Sequence, residues 1–284
     1  MKPHKSTLVV GPWRLWHVFG SLVLVAPALA LLTTLMGTGH TFGPLLQPMV
    51  YGLVTLGFMG VVSLFKKKNM LRYFSLGTKN LRSTVLWGLG GGLAHLAVVY
   101  LYEALFGFPH VSPEETAELL KLNTGIKTAL VFIITTTVVA PLFEELLFRG
   151  MLFRGIRDGV ANIAQQFVQA KYPKFARWLI RYAVGIALVS SVYAFITIHQ
   201  TEGASATYML GYSFMAIIAA LVYVKTGSLL AAIITHSVNN AVVMYSNMLA
   251  MSTPVPSMLY LLPFLCIPCC VGLTLVFARL LERE

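Results

Sequence analysis

Eight mostly apolar runs of about 20 residues divide this chain, and that is the length an α-helix needs to cross the hydrocarbon core of a bilayer. They fall at residues 15–36, 44–65, 84–107, 127–149, 183–200, 205–224, 228–250 and 257–279. Eight spans use roughly 160 of the 284 residues, which leaves about 124 for loops and ends, so the length fits the count. Composition agrees. Charged residues are 11% of the chain, where a soluble domain carries about 25%. Hydrophobic residues are 57%, and the mean hydropathy is +0.77. So few polar side chains cannot cover a particle of this size in water. The expected fold is an all-α polytopic membrane protein of about eight transmembrane helices, with the lipid bilayer as its solvent.

The net charge of +11 sits in short clusters at the ends of the runs. That is a topology signal rather than a nucleic-acid surface, and no nucleic-acid partner is expected. Basic residues fill the N-terminal tail, 66–82, 149–181, Lys225, and Arg279 with Arg283, whereas 37–43, 108–121, 201–204 and 251–256 are bare or acidic. By the positive-inside rule both termini and the basic loops face the cytoplasm, as expected of a multi-pass protein of the plasma (inner) membrane. Ala28-Leu29-Ala30 could pass for a signal-peptidase site, but the apolar run continues past it, so residues 15–36 read as an uncleaved first helix. Residues 160–180 mix Gln, Lys and Arg with Phe167, Tyr172, Phe175 and Trp178, which fits an interfacial helix or a solvated loop. Ser112-Pro113-Glu114-Glu115 marks a helix start. Cys266, Cys269 and Cys270 share one apolar run and read as small packing residues.

Ionisable side chains inside spans are costly and usually functional. In Pro141-Leu142-Phe143-Glu144-Glu145-Leu146-Leu147-Phe148-Arg149, Glu145 and Arg149 stand four apart in the order that favours an ion pair on a helix. Glu144 points about 100° away, so one carboxylate is held and the other is left to act as a general base. Pro141 cannot donate to the carbonyl of Thr137, which loosens the helix one turn before the acids. His199 lies near the end of the fifth run, and His236 with Asn240 shares one face of the seventh. A glutamate, two histidines and an amide on otherwise apolar helices are the parts for adding water to an amide carbonyl.

Glu144-Glu145-x-x-x-Arg149, Phe195-x-x-x-His199 and His236-x-x-x-Asn240, in this order on successive spans, resemble the three motifs of the CPBP family of intramembrane proteases. These are the CAAX proteases and bacteriocin-processing enzymes, also called the ABI family, whose best-known members are the type II CAAX prenyl endopeptidases. Tyr223-Val224-Lys225-Thr226-Gly227-Ser228-Leu229 resembles the stretch that precedes the third motif, and the similarity covers about residues 125–250. The resemblance implies an eight-helix core with a conical cavity open to the cytosol, and an endopeptidase acting on a membrane-tethered or lipidated peptide or protein. Glu144 and His199 would activate water, His236 and Asn240 would stabilise the oxyanion, and Glu145 and Arg149 would brace the site. It also divides the chain into N-terminal helices with an amphipathic connection (1–124), a catalytic core (125–250) and a C-terminal helix (251–284).

The 55 residues between Glu144 and His199 exceed the family's usual gap. A straight fifth helix begun at Arg181 would put His199 about 27 Å deep, against about 16 Å for His236 beyond Lys225. Helix five is therefore expected to start later than Arg181, or to tilt and enter from a buried 170s segment, so that His199 reaches the depth of His236. No His-Glu-x-x-His is present, and an asparagine suits an oxyanion better than zinc. A metal-independent glutamate-type hydrolase without a cofactor is expected, with a zinc metalloprotease as the alternative. The competing readings are a catalytically silent scaffold or bacteriocin-immunity-type protein that keeps these residues as an interhelical network, and a transporter. Gly88, Gly90, Gly91 and Gly92 with His95 suit either a broken transport helix or close helix packing, and close packing is the preferred account.

Overall fold

The computed structural model describes residues 15–20, 23–24, 27–28, 43–66, 74, 76, 80–106, 126–199, 206–250 and 256–282. The helix start at Ser112, and the first apolar run apart from its helical pieces at 15–20, 23–24 and 27–28, lie outside the described residues. Among the described residues there is no strand. The helices are α1 (Gly43–Lys66), α2 (Leu81–Phe106), the long α3, α4 (Pro173–His199), α5 (Ala206–Thr226), α6 (Leu229–Ala250) and α7 (Ser257–Glu282). Helix α3 runs without a break through Ile126–Ile134, Thr135–Val139, Ala140–Glu145, Leu146–Phe153, Arg154–Ile163 and Ala164–Val168, alternating α-helical and wider π-helical segments. Among the described residues six helices are long and apolar enough to cross a membrane, and Met49–Phe65 of α1 is apolar but shorter. The chain is thus an integral, polytopic, all-helical membrane protein.

Helix α6 is the centre of the bundle, with 72% of its apolar window buried against 28–56% in the other spans. It packs on α2, α3, α5 and α7. Glycine makes the α2 contact possible: a Cβ on Gly88, Gly91 or Gly92 would come within 2.6 Å of Ile234, Thr235 or Val238. Thr235 Oγ1 donates to the Gly88 carbonyl at 3.1 Å across the same seam. The close-packing account therefore holds for these three glycines, whereas Gly90 faces open space. On α7, Cys266 and Cys270 are buried and Cys269 is exposed, all three as free thiols.

The turn between α5 and α6 explains the Lys225-Thr226-Gly227-Ser228 signature. Gly227 adopts φ 67°, a left-handed conformation that suits glycine, and its N–H donates to the Tyr223 carbonyl at 2.8 Å. The chain reverses in two residues, which fixes how far His236 lies from the membrane edge.

The expected start of the fifth helix and the expected burial of the 170s are both corrected. Helix α4 begins at Pro173, before Arg181, and Phe175 and Trp178 in its first turns are exposed, as is Tyr172 just before it. Residues 160–180 are the end of α3, a tight turn and the start of α4, so they form the tip of a helical hairpin. Arg154 of α3 donates from Nε to the Tyr223 hydroxyl on α5, which puts Arg154 level with the α5–α6 turn. Beyond it α3 rises about 21 Å further to Val168. Equal rises back along α4 bring residues near Ala187, not Arg181, to the Arg154 level. From there His199 is about 18 Å deep, close to the 16 Å of His236. The depths agree because the hairpin projects past its neighbours.

The glycine seam predicts a pair of opposite effects on thermal unfolding in detergent. Gly92→Leu should lower the midpoint by overpacking, a loss of about 1–3 kcal/mol. Gly90→Ala should leave it unchanged or raise it, since alanine favours a helix by up to about 1 kcal/mol over glycine. Equal destabilisation by both would contradict the close contact.

Candidate active site

The site is built on a loosened helix. Because Pro141 has no N–H, the Thr137 carbonyl lacks its usual donor four residues on, and Thr135–Val139 winds as a π-helix. Buried carbonyls must find partners within the protein. Three carbonyls of this segment meet side chains of neighbouring helices. Thr136 O accepts from Asn240 Nδ2 at 2.8 Å, Thr137 O from Ser237 Oγ at 2.6 Å, and Val138 O faces Cys270 Sγ at 3.8 Å. Helix α3 is thereby pinned to α6 and α7 through its own backbone.

One turn later Arg149 Nη1 donates to Glu145 Oε1 at 2.9 Å, with the two side chains 1% and 0% exposed. Arg149 Nη2 donates to the Ala216 carbonyl on α5 at 2.8 Å, and the guanidinium lies 5.1 Å from the Phe195 ring centre on α4. Glu145 Oε1 also accepts from His236 Nδ1 at 3.0 Å. The pair predicted from spacing is therefore present, and it ties α3 to α4, α5 and α6.

Glu144 faces the imidazoles instead. Its Oε2 is 3.5 Å from His199 Nε2 and 3.9 Å from His236 Nε2, distances of ion-pair contact rather than of a direct hydrogen bond. Each ring is tied at its other nitrogen: His236 Nδ1 donates to Glu145, and His199 Nδ1 donates to the Phe195 carbonyl at 2.8 Å. A neutral imidazole that donates at Nδ1 presents a lone pair at Nε2, so both rings turn an acceptor toward one carboxylate oxygen. His199 is clamped between the Phe195 ring at 4.2 Å and the Tyr212 ring at 4.6 Å, both within 28° of parallel. Glu144, His199 and His236 have side chains 8%, 17% and 4% exposed.

Of the four residues expected to gather, Glu144, His199 and His236 do so. Asn240 shares the α6 face of His236 but makes its bonds with Thr136 and with Asn239, whose Nδ2 donates to Asn240 Oδ1 at 2.9 Å. Sequence reasoning missed Ser237, Asn239 and Tyr212, and took His95 only as a companion of the glycines. The signal available for the first two was the run of polar residues 235–240 within a span. Among the described residues no group of three or more His, Cys, Asp or Glu side chains is placed to hold a metal ion.

Residues 126–242 match the model of a family described as type II CAAX prenyl endopeptidase, Rce1-like. No curated protein and no solved structure matches the chain.

Removing one partner of a buried ion pair strands the other charge, so Arg149→Met should destabilise the protein by about 3–5 kcal/mol. The double change Glu145→Gln with Arg149→Met should recover part of that loss, since no lone charge remains. Thermal unfolding of the three proteins in one detergent checks this. A wild-type midpoint for Arg149→Met would show that the pair is not a brace.

Proposed function

Because residues 126–242 match the model of the Rce1-like type II CAAX prenyl endopeptidase family, we propose that the protein is an intramembrane endopeptidase in which Glu144 activates water. One observation carries this reading: the Glu144 carboxylate, free of the Glu145–Arg149 pair, is faced by Nε2 of both His199 and His236 among spanning helices. Three acceptor atoms converge on one place, and a water molecule there donates its two hydrogens to two of them.

In the proposed reaction Glu144, assisted by His199, takes a proton from that water as its oxygen attacks the carbonyl carbon of the scissile bond. Negative charge then develops on the carbonyl oxygen. Asn240 can stabilise it with the second hydrogen of Nδ2, since only one is used on Thr136. His236, held in place by Glu145, receives the proton at Nε2 and becomes a second donor to the oxyanion. Collapse of the tetrahedral intermediate expels the amine, which leaves with the proton, and water has been added across the amide. Glu145 and Arg149 act through His236 and Phe195 rather than on the substrate.

The substrate class that suits a site among spanning helices is a membrane-tethered or lipidated peptide or protein, presented from the cytoplasmic side toward which the basic segments point. No nucleic acid takes part. The chemistry needs no cofactor, because the attacking water is activated by a carboxylate and the oxyanion is met by an amide and an imidazole.

The deciding experiment uses the full chain in proteoliposomes with membrane-tethered peptides, prenylated C-terminal tails included. Glu144→Gln keeps the shape and removes the base, so kcat should fall by about 100-fold or more without a lower unfolding midpoint. Cleavage at the wild-type rate would end the hydrolase reading. Strong chelators should leave wild-type turnover intact, and loss of turnover restored by zinc alone would turn the mechanism into that of a metalloprotease.

A further inference from the structure

Helix α2 lies outside the 126–242 segment, yet it reaches the site through an unbroken line of side chains. Gly88, Gly91 and Gly92 bring α2 against α6, and His95, one turn on and 3% exposed, points along the same face. His95 Nδ1 donates to Asn239 Oδ1 at 2.7 Å, Asn239 Nδ2 donates to Asn240 Oδ1 at 2.9 Å, and Asn240 Nδ2 donates to Thr136 O at 2.8 Å. The far side of the ring, Nε2, sits 3.1 Å from the Gly211 carbonyl on α5.

A carboxamide can be reversed by a half-turn that exchanges its oxygen and its nitrogen. Here the carbonyl end of the line removes that freedom. Thr136 O accepts only, so Asn240 must offer Nδ2 to it and turn Oδ1 toward Asn239. Asn239 must then offer Nδ2 and turn its own Oδ1 toward the ring N–H of His95. Each amide is fixed by its neighbour, and the second Nδ2 hydrogen of Asn240 is held in one direction.

We propose that His95 is a positioning residue for the Asn240 oxyanion donor and acts on it through Asn239. The inference rests on the hydrolase reading given above. It makes α2 part of the active enzyme although none of its atoms meets the substrate.

The test measures kcat and KM of the reconstituted full chain on a membrane-tethered prenylated peptide. His95→Phe keeps a ring but supplies no donor, and Asn239→Asp keeps the acceptor for His95 but supplies no donor to Asn240. Each should lower kcat by at least about tenfold with KM little changed, because an oxyanion contact acts in the transition state. The double variant should be no slower than the slower single, since both act through one amide. His95→Gln, which can still donate to Asn239, should restore most of the rate. If Glu144→Gln abolishes cleavage while His95→Phe and Asn239→Asp keep kcat within twofold, the relay is refuted and the hydrolase stands. Losses that multiply in the double variant also refute it, as two separate structural defects. Should His95→Phe fail to fold, Asn239→Asp and His95→Gln decide alone: unchanged kcat in the first overturns the proposal. Cleavage that survives Glu144→Gln removes the reading beneath it instead.

Discussion

The arrangement of the candidate site depends on a carboxylate and a guanidinium buried together four residues apart. Taking Glu145 and Arg149 out of water is unfavourable for each, and only close geometry with further hydrogen bonds offsets it. Those further bonds are what register the bundle: Arg149 reaches the Ala216 carbonyl on α5 and lies over Phe195 on α4, while Glu145 holds the His236 ring on α6. With Glu145 so occupied, the adjacent carboxylate, turned about 100° around the helix, is the one that meets the two imidazoles. Adjacent acids of the same chemistry thus receive different tasks from one cation.

The second constraint comes from the solvent. In lipid a helix that loses a hydrogen bond cannot turn to water, and α6 and α7 bring donors to carbonyls of the π-helical segment Thr135–Val139 of α3. Asn240 and Ser237 therefore serve the backbone of α3, and Asn240 keeps one hydrogen beyond that duty. A residue that fastens two helices and still points a donor outward is well placed for chemistry that needs a stationary dipole. The glycine seam contributes in the same sense, since only a close approach of α2 lets His95 touch α6.

Much of this was readable from spacing. An acid and an arginine four apart on a helix meet through local geometry alone, so the Glu145–Arg149 pair, the isolation of Glu144 and the loosening at Pro141 needed no knowledge of the fold. The two histidines could be nominated because polar groups are rare in these spans. What spacing could not supply was the length of helix outside the lipid. Residues 160–180 carry the polar and aromatic mixture of a loop or an interfacial segment, and nothing local distinguishes that from a hairpin tip continuing out of the bilayer. A depth counted from Arg181 therefore sets His199 too deep, because α4 begins at Pro173. The partners of Asn240 and His95 were equally hidden, because they are set by which helices touch, a long-range property that no window of sequence contains.

The proposed water attack directed by Glu144 has an isotopic signature. One turnover in oxygen-18 water, with enzyme in excess over a membrane-tethered peptide, should put a single heavy oxygen into the new carboxyl group of the product. The enzyme peptide that contains Glu144 should stay unlabelled. Heavy oxygen in the Glu144 carboxylate would mean that this side chain attacked the carbonyl itself, and would contradict the account of it as a base acting on water.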